Sequence, residues 1–276
     1  MIMNYPSYYS IPATDLEKDS KIPMIMFENA GEVHFEYALE MLEEVVKNNA
    51  MGEKTVFICP CGPVEQYPIF ARLVNERNVS LKNTWIINMD EYLTDDEEWI
   101  DENSPFSFHG LMNRYLYDRI NPELIMPEEQ RVFPDPHCPE KIEELIKQLG
   151  GVDMVMGGIA VNGHVAFNEP IPGMSIEEFA SLPTRVVELS AETRIKDAIL
   201  SRGGAIDTMP KKAITGGMKE MLGAKKLRLS MLNNMQRAVI RRATHGDVTS
   251  ECPITFAQNH PDAVLFVGKN VTERPF

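Results

Sequence analysis

Two periodicities alternate along the chain. Between positions 31 and 49, Val33, Tyr37, Leu39, Met41, Leu42, Val45 and Val46 recur, many of them three or four apart, with acidic residues between them. That spacing predicts an amphipathic helix with an acidic wet side. Thr55-Val56-Phe57-Ile58 is an unbroken apolar run and predicts a buried strand, stopped by Cys59-Pro60-Cys61-Gly62-Pro63. A helix follows to about Asn78, with Pro68 near its start, and then a strand, Thr84 to Met89, that ends on Asp90-Glu91-Tyr92. Ile22 to Phe27 reads as a first strand. Residues 94–103 form an acidic surface loop. Residues 107–120 predict a helix with Leu111, Tyr115 and Ile120 inward.

The second half repeats the alternation. A brief strand at Arg131-Val132-Phe133 precedes a helix at 139–149, closed by Gly150-Gly151, a usual helix stop. Met154-Val155-Met156 is a strand. Residues 171–204 mix Pro, Gly and charge, with a strand at 185–189 and a helix at 191–202, and form a candidate mobile lid. Leu227 to Leu232 is a strand, 234–244 a helix bearing Arg237, Arg241 and Arg242, and Ala263 to Val267 a last strand. Strands that are continuous apolar runs, separated by helices, define an α/β fold with a mainly parallel sheet covered on both faces. No linker, repeat or low-complexity block divides the chain. The expected organisation is an extension at 1–20 and a single domain at 21–276, the extension lying on the surface or on a neighbouring subunit.

Composition narrows the function. Of 276 residues, 43% are hydrophobic, enough for a sizeable core. No run approaches the ~18 apolar residues of a membrane helix, and the first residues carry no basic group before Lys18, which argues against a signal peptide. The net charge of −14 argues against nucleic acid and anionic membranes. It leaves room for an anionic small substrate, since a few local cations can dominate a cleft. Cys59, Cys61, Cys138 and Cys252 lack zinc-type spacing and read as reduced thiols of a cytoplasmic protein.

Candidate chemistry gathers at Gly157 to Pro170, GGIAVNGHVAFNEP, directly after a strand. Asn162, His164, Asn168 and Glu169 fall within eight positions, and Gly163 would let a ligand approach the backbone. The alternative is an ordinary glycine-turned surface loop. A metal site is disfavoured because only one His is at hand. The other strand end delivers Asp90 and Glu91. Both lie at C-terminal edges of a parallel sheet, so they can face one crevice. A carboxylate beside a histidine is acid–base equipment, although Asp90 could equally cap the next turn.

Asn88-Met89-Asp90-Glu91-Tyr92, Ser107 to Arg114, the GGIAVNGHVAFNEP stretch, Thr215-Gly216-Gly217 and Asn259-His260-Pro261 occur in this order. In that arrangement the chain resembles the glucosamine-6-phosphate deaminase/isomerase family, of the 6-phosphogluconolactonase-like sugar-phosphate enzymes, from about residue 30 to 272. The resemblance implies a Rossmann-like fold without nucleotide or other cofactor, a sugar-phosphate substrate and a homo-oligomer. It implies conversion of an amino-sugar phosphate to a keto-sugar phosphate with loss of ammonia. His164 would open the sugar ring, Asp90 would move a proton from C2 to C1, and Glu169 would hold His164. Arg237 would grip phosphate, with Thr215 near the cleft. The chain departs from the family at three places. Asn162 stands where the family has Asp. Cys61-Gly62-Pro63-Val64-Glu65 replaces a Gly/Thr/Ser-rich phosphate loop, leaving Cys61 and Gly62 as its contacts. The family's lid arginine falls at Ile199, with Arg194 and Arg202 as the nearby substitutes. Two other readings follow: an isomerase for a different sugar, or a catalytically weak relative that binds sugar phosphate as a sensor.

Overall fold

In the computed structural model, which describes residues 5–276, the strands in chain order are β1 (Met24–Phe27), β2 (Thr55–Cys59), β3 (Thr84–Asn88), β4 (Asp90–Leu93) and β5 (Arg131–Val132). They continue as β6 (Met154–Gly158), β7 (Arg185–Glu188), β8 (Lys212–Thr215), β9 (Lys226–Met231) and β10 (Ala263–Gly268). The helices are α1 (Ala30–Met51), α2 (Gln66–Arg77), α3 (Phe108–Tyr115), α4 (Lys141–Leu149), α5 (Ile176–Ala180), α6 (Ala191–Ser201), α7 (Met218–Leu222) and α8 (Arg237–His245).

Seven strands form one sheet in the order β1-β10-β9-β6-β2-β3-β5, and every described pairing in it is parallel. Helices cover both faces, as the apolar strands required. Strand β2 shows how. Val56 and Ile58 join one hydrophobic cluster, while Phe57 and Cys59 join another. Successive side chains of a strand point to opposite faces, so one buried strand feeds two cores. Truncating Phe57 to alanine would cost about 3–5 kcal/mol.

Local chemistry sets the element ends. Helix α1 starts where the Asn29 side chain accepts the Glu32 N–H, and it stops at Gly52 with φ of 72°. Its inward stripe includes Val33, Tyr37, Met41, Leu42 and Val45. The predicted helix at 107–120 is shorter. It is α3 followed by a 3-10 turn at Tyr117–Arg119, and its buried face is Met112, Leu116, Tyr117 and Ile120 rather than Leu111 and Tyr115. Ser107 caps α3 and accepts the Gly110 N–H, and that start sets the helix's rotation.

The chain departs from expectation after β3. The expected strand at 84–89 breaks at Met89, and Asp90–Leu93 enters a second sheet of order β4-β8-β7. Both pairings there are antiparallel. The segment 171–204 contains α5 and, as expected, a strand and a helix, β7 and α6; β7 belongs to this small sheet.

The described part of the N-terminal extension packs on α8 of its own chain; residues 1–4 lie outside the described residues. Leu16 and Ile22 are fully buried. Arg241, also fully buried, donates to the carbonyls of Ile11, Arg237, Thr272 and Glu273. The helix thereby fastens both ends of the described chain. No helix among the described residues is long and apolar enough to cross a membrane.

Candidate active site

A cavity of about 590 Å³ opens at the C-terminal ends of the central strands. After β2 the chain runs through α2 to β3 on one side, while β6 and β9 lie on the other. The sheet therefore changes direction between β2 and β6, which is where open α/β sheets bind ligands. Cys61 to Glu65 line the cavity from the end of β2, Met89 and Asp90 from the break between β3 and β4, His164 from the loop after β6, Ser230 from β9 and Asn233 from just beyond it.

Asp90 is only 6% exposed. Its position follows from the break after β3: Met89 donates to the Cys59 carbonyl and accepts from Gly216 N at 2.7 Å. The backbone thus crosses from one sheet to the other at this residue. Burial, with the charges of Glu91 and Asp197, holds the Asp90 carboxyl well above the usual carboxylate range.

His164 is 4% exposed. Asn162 Oδ1 accepts its backbone N–H at 3.2 Å. Gly163 between them has φ of 84°, and a Cβ there would lie 2.6 Å from Cys252 Sγ, so glycine alone fits the turn. Ala166, which also lines the cavity, is a non-glycine residue at φ of 53°. Burial and the nearby Lys196 charge push the His164 imidazole down to about 3. The ring is therefore neutral across physiological pH, and its Nδ1 is buried without a partner.

Glu169 Oε1 stands 4.0 Å from His164 Nδ1, too far for a hydrogen bond. Its two oxygens instead accept from Ser190 N and Ser190 Oγ, each at 2.9 Å. Ser190 caps α6, so Glu169 ties the histidine loop to that helix. Asn168 fastens the other side. It donates to Gly216 O at 2.8 Å and accepts from Arg185 Nη1 at 2.7 Å.

Several expected site residues lie off the cavity. Glu91 is fully buried and accepts from Tyr92 N, Ser107 Oγ, Phe108 N, His109 N and His109 Nδ1. It anchors the start of α3. Thr215 Oγ1 accepts the Phe167 N–H at 3.0 Å. Arg237 is ion-paired with Glu273 and donates to Asn270 O, and Arg194 does not reach the lining. Asn162, Gly163 and Glu169 shape the histidine loop behind the lining. Arg202 does line the cavity, stacked 4.0 Å from the Phe106 ring centroid.

Lys196, Asp197, Glu65 and His34 also line the cavity. The first, second and fourth escaped the sequence reading, and Glu65 entered it only as a departure in the loop. Lys196 pairs with Asp197 at 2.5 Å, and Asp197 accepts from the Tyr92 hydroxyl at 3.1 Å. The available signal was spacing: Lys196, Leu200 and Asp197, Ser201 recur four apart on α6, which faces the cavity with that stripe.

Asp90 and His164 thus face one cavity at the switch point of a Rossmann-like, mainly parallel α/β sheet. The comparisons give its kin. A glucosamine-6-phosphate deaminase of Clostridium perfringens is 28% identical over 259 residues, spanning 91% of this chain and 98% of the relative. Another, from Cronobacter sakazakii, is 29% identical over 209 residues, spanning 74% and 73%. A solved monomeric glucosamine-6-phosphate deaminase superposes with a TM-score of 0.77 at 24% identity, spanning 91% of this chain and 98% of that one. A Trypanosoma brucei 6-phosphogluconolactonase shares the fold at a TM-score of 0.62 and 14% identity, over 91% and 98% of the two chains. No protein-family model matches the chain. Over about nine-tenths of its length the chain is similar to glucosamine-6-phosphate deaminases, and it shares their fold.

Proposed function

We propose that the protein is an amino-sugar deaminase/isomerase, acting on glucosamine 6-phosphate or a related sugar. The observation that carries this reading is the convergence of Asp90 and His164, from strand ends that flank β2, on one cavity. A neutral imidazole has one N–H and one lone pair. It can take the proton of the anomeric hydroxyl and return one to the ring oxygen, opening the ring. Asp90, when ionised, removes the C2 proton of the open chain and delivers it to C1. C2 is then an iminium carbon. Water adds there and ammonia leaves, so amino sugar plus water becomes ketose plus ammonia. A substrate ammonium beside Asp90 favours the ionised carboxylate that the empty site disfavours.

The test is release of ammonia and ketose from glucosamine 6-phosphate and other hexosamines, with Asp90→Asn as the control. Turnover lost in Asp90→Asn, with sugar binding kept, supports the reading. Turnover that survives this change sinks it.

A sugar-phosphate-binding relative with weak catalysis is the second reading. It is favoured by Asn162, which cannot carry charge to His164, and by the 4.0 Å gap between His164 and Glu169. Asn162→Asp separates the two. Activity confined to that variant selects the binding protein, and turnover by the unmodified chain selects the enzyme.

A further inference from the structure

The end of the cavity between α1 and the start of α2 has an unusual charge. It is lined by Ala30, His34, Gly62, Pro63, Val64 and Glu65. Pro63 has no N–H to offer. The Val64 N–H is already engaged, donating to Glu65 Oε2 at 3.1 Å. Glu65 thus puts its own carboxylate at the helix start, where an anionic ligand would otherwise be welcome. His34 stands beside it, with Nε2 3.9 Å from Glu65 Oε2. The imidazole is 8% exposed, and its Nδ1 is buried without a partner. Burial holds His34 below its ordinary pKa, against the pull of Glu65.

This end of the cavity therefore offers one carboxylate and one neutral imidazole, and no cation among the described lining residues. The cavity's cations, Lys196 and Arg202, come from α6 and its C-terminal cap. Lys196 is engaged by Asp197, and Arg202 lies over Phe106. A carboxylate and an imidazole together accept and donate to hydroxyl groups, whereas a phosphate beside Glu65 meets like charge.

We propose that Glu65 and His34 form a subsite for a hydroxyl-bearing end of the sugar, so that the substrate is an amino sugar with no phosphate at that end. The inference rests on the amino-sugar reading above and narrows its substrate. Like-charge repulsion at ~5 Å in a partly wet cleft changes affinity about tenfold or more.

The experiment compares glucosamine with glucosamine 6-phosphate in the full chain and in Glu65→Gln, a change at a side chain 63% exposed. The unmodified protein is expected to prefer the free sugar in kcat/KM by about tenfold or more, the size of that repulsion. Glu65→Gln is expected to raise KM for the free sugar and lower it for the phosphate ester. Preference of the unmodified chain for the ester, or KM values untouched by Glu65→Gln, overturns the proposal. If neither sugar is turned over, the deaminase reading fails by itself, and titration with inorganic phosphate decides the subsite. Phosphate binding gained in Glu65→Gln supports it. Equal binding in the two proteins, whether measurable or absent, overturns it.

Discussion

His164 and Asp90 are both buried, but burial pushes them in opposite directions, because desolvation penalises whichever form is charged. The imidazole is driven down to about 3 and the carboxyl well above its usual range. His164 thus has no ionisation to contribute near neutral pH, and the acid limb of the rate profile belongs to Asp90. kcat/KM is expected to climb with pH above the ordinary carboxylate range. His164→Gln should lower kcat by about 10²–10⁴ and leave that limb where it was. A limb that vanishes in the variant would assign the titration to the histidine instead. Asp90 also acts on stability. Its folded pKa is raised, so the native state holds a proton that the unfolded chain has lost once pH passes the ordinary aspartate value of about 3.9. Stability therefore falls as pH rises from there through the raised value. Asp90→Asn removes this effect, and its melting temperature should exceed that of the unmodified protein at pH ~8, with the gap closing toward pH ~4. That these two groups face one cavity was legible, because a histidine and a carboxylate at strand ends are uncommon together. Lys196 and Asp197 were not, since charges on a short helix read as a solvated face until the helix has a place. Arg237 was read as a phosphate grip, but a sequence does not show that Glu273 and Asn270 occupy its guanidinium.

The parallel sheet was legible strand by strand, because its strands are apolar runs bounded by turn residues. The small sheet was not. Its β4 follows β3 with only Met89 between them, so Thr84 to Met89 reads as one strand that ends on Asp90-Glu91-Tyr92. The antiparallel partners of β4 lie more than a hundred residues away, at Lys212–Thr215. Sequence period cannot show that a strand has changed sheets. Glu91 lies in that hidden strand, and its neighbourhood decides its role. Five donor groups converge on its carboxylate, among them the N–H groups of Phe108 and His109 at the start of α3. A glutamine has one acceptor oxygen and brings its own N–H groups against those donors. Glu91→Gln is expected to destabilise the fold by about 1–3 kcal/mol while leaving KM for the sugar unchanged. Thermal denaturation and steady-state kinetics check the two halves. A KM that rises with no loss of stability would return Glu91 to the substrate site.

At the scale of the whole molecule, the cavity joins two bodies of unequal solidity. One wall is the seven-stranded sheet, held between two extensive hydrophobic clusters. The other is the small sheet with α6, whose buried cluster is limited to Tyr92, Phe167, Leu189, Ala198, Met209 and Ala213. The outer side of α6 adds little, since Ile195 and Ile199 are both exposed by more than 40%. Few buried apolar contacts mean a low free energy of local opening. Yet this weaker wall carries Lys196, Asp197 and Arg202, and it is tied to the histidine loop through Ser190 and Glu169. A ligand that touches both walls adds its binding energy to the closed arrangement, and the weaker body gains most from it. Backbone amides in α6 and the β7–β8 segment should exchange with deuterium faster than those of β2, β6 and β9. A saturating amino sugar should slow exchange at residues 185–215 and leave the central strands nearly unchanged. Uniform slowing across both sheets would mean that the ligand stabilises the molecule as one unit. No change at α6 would mean that Lys196 and Asp197 take no part in holding the sugar.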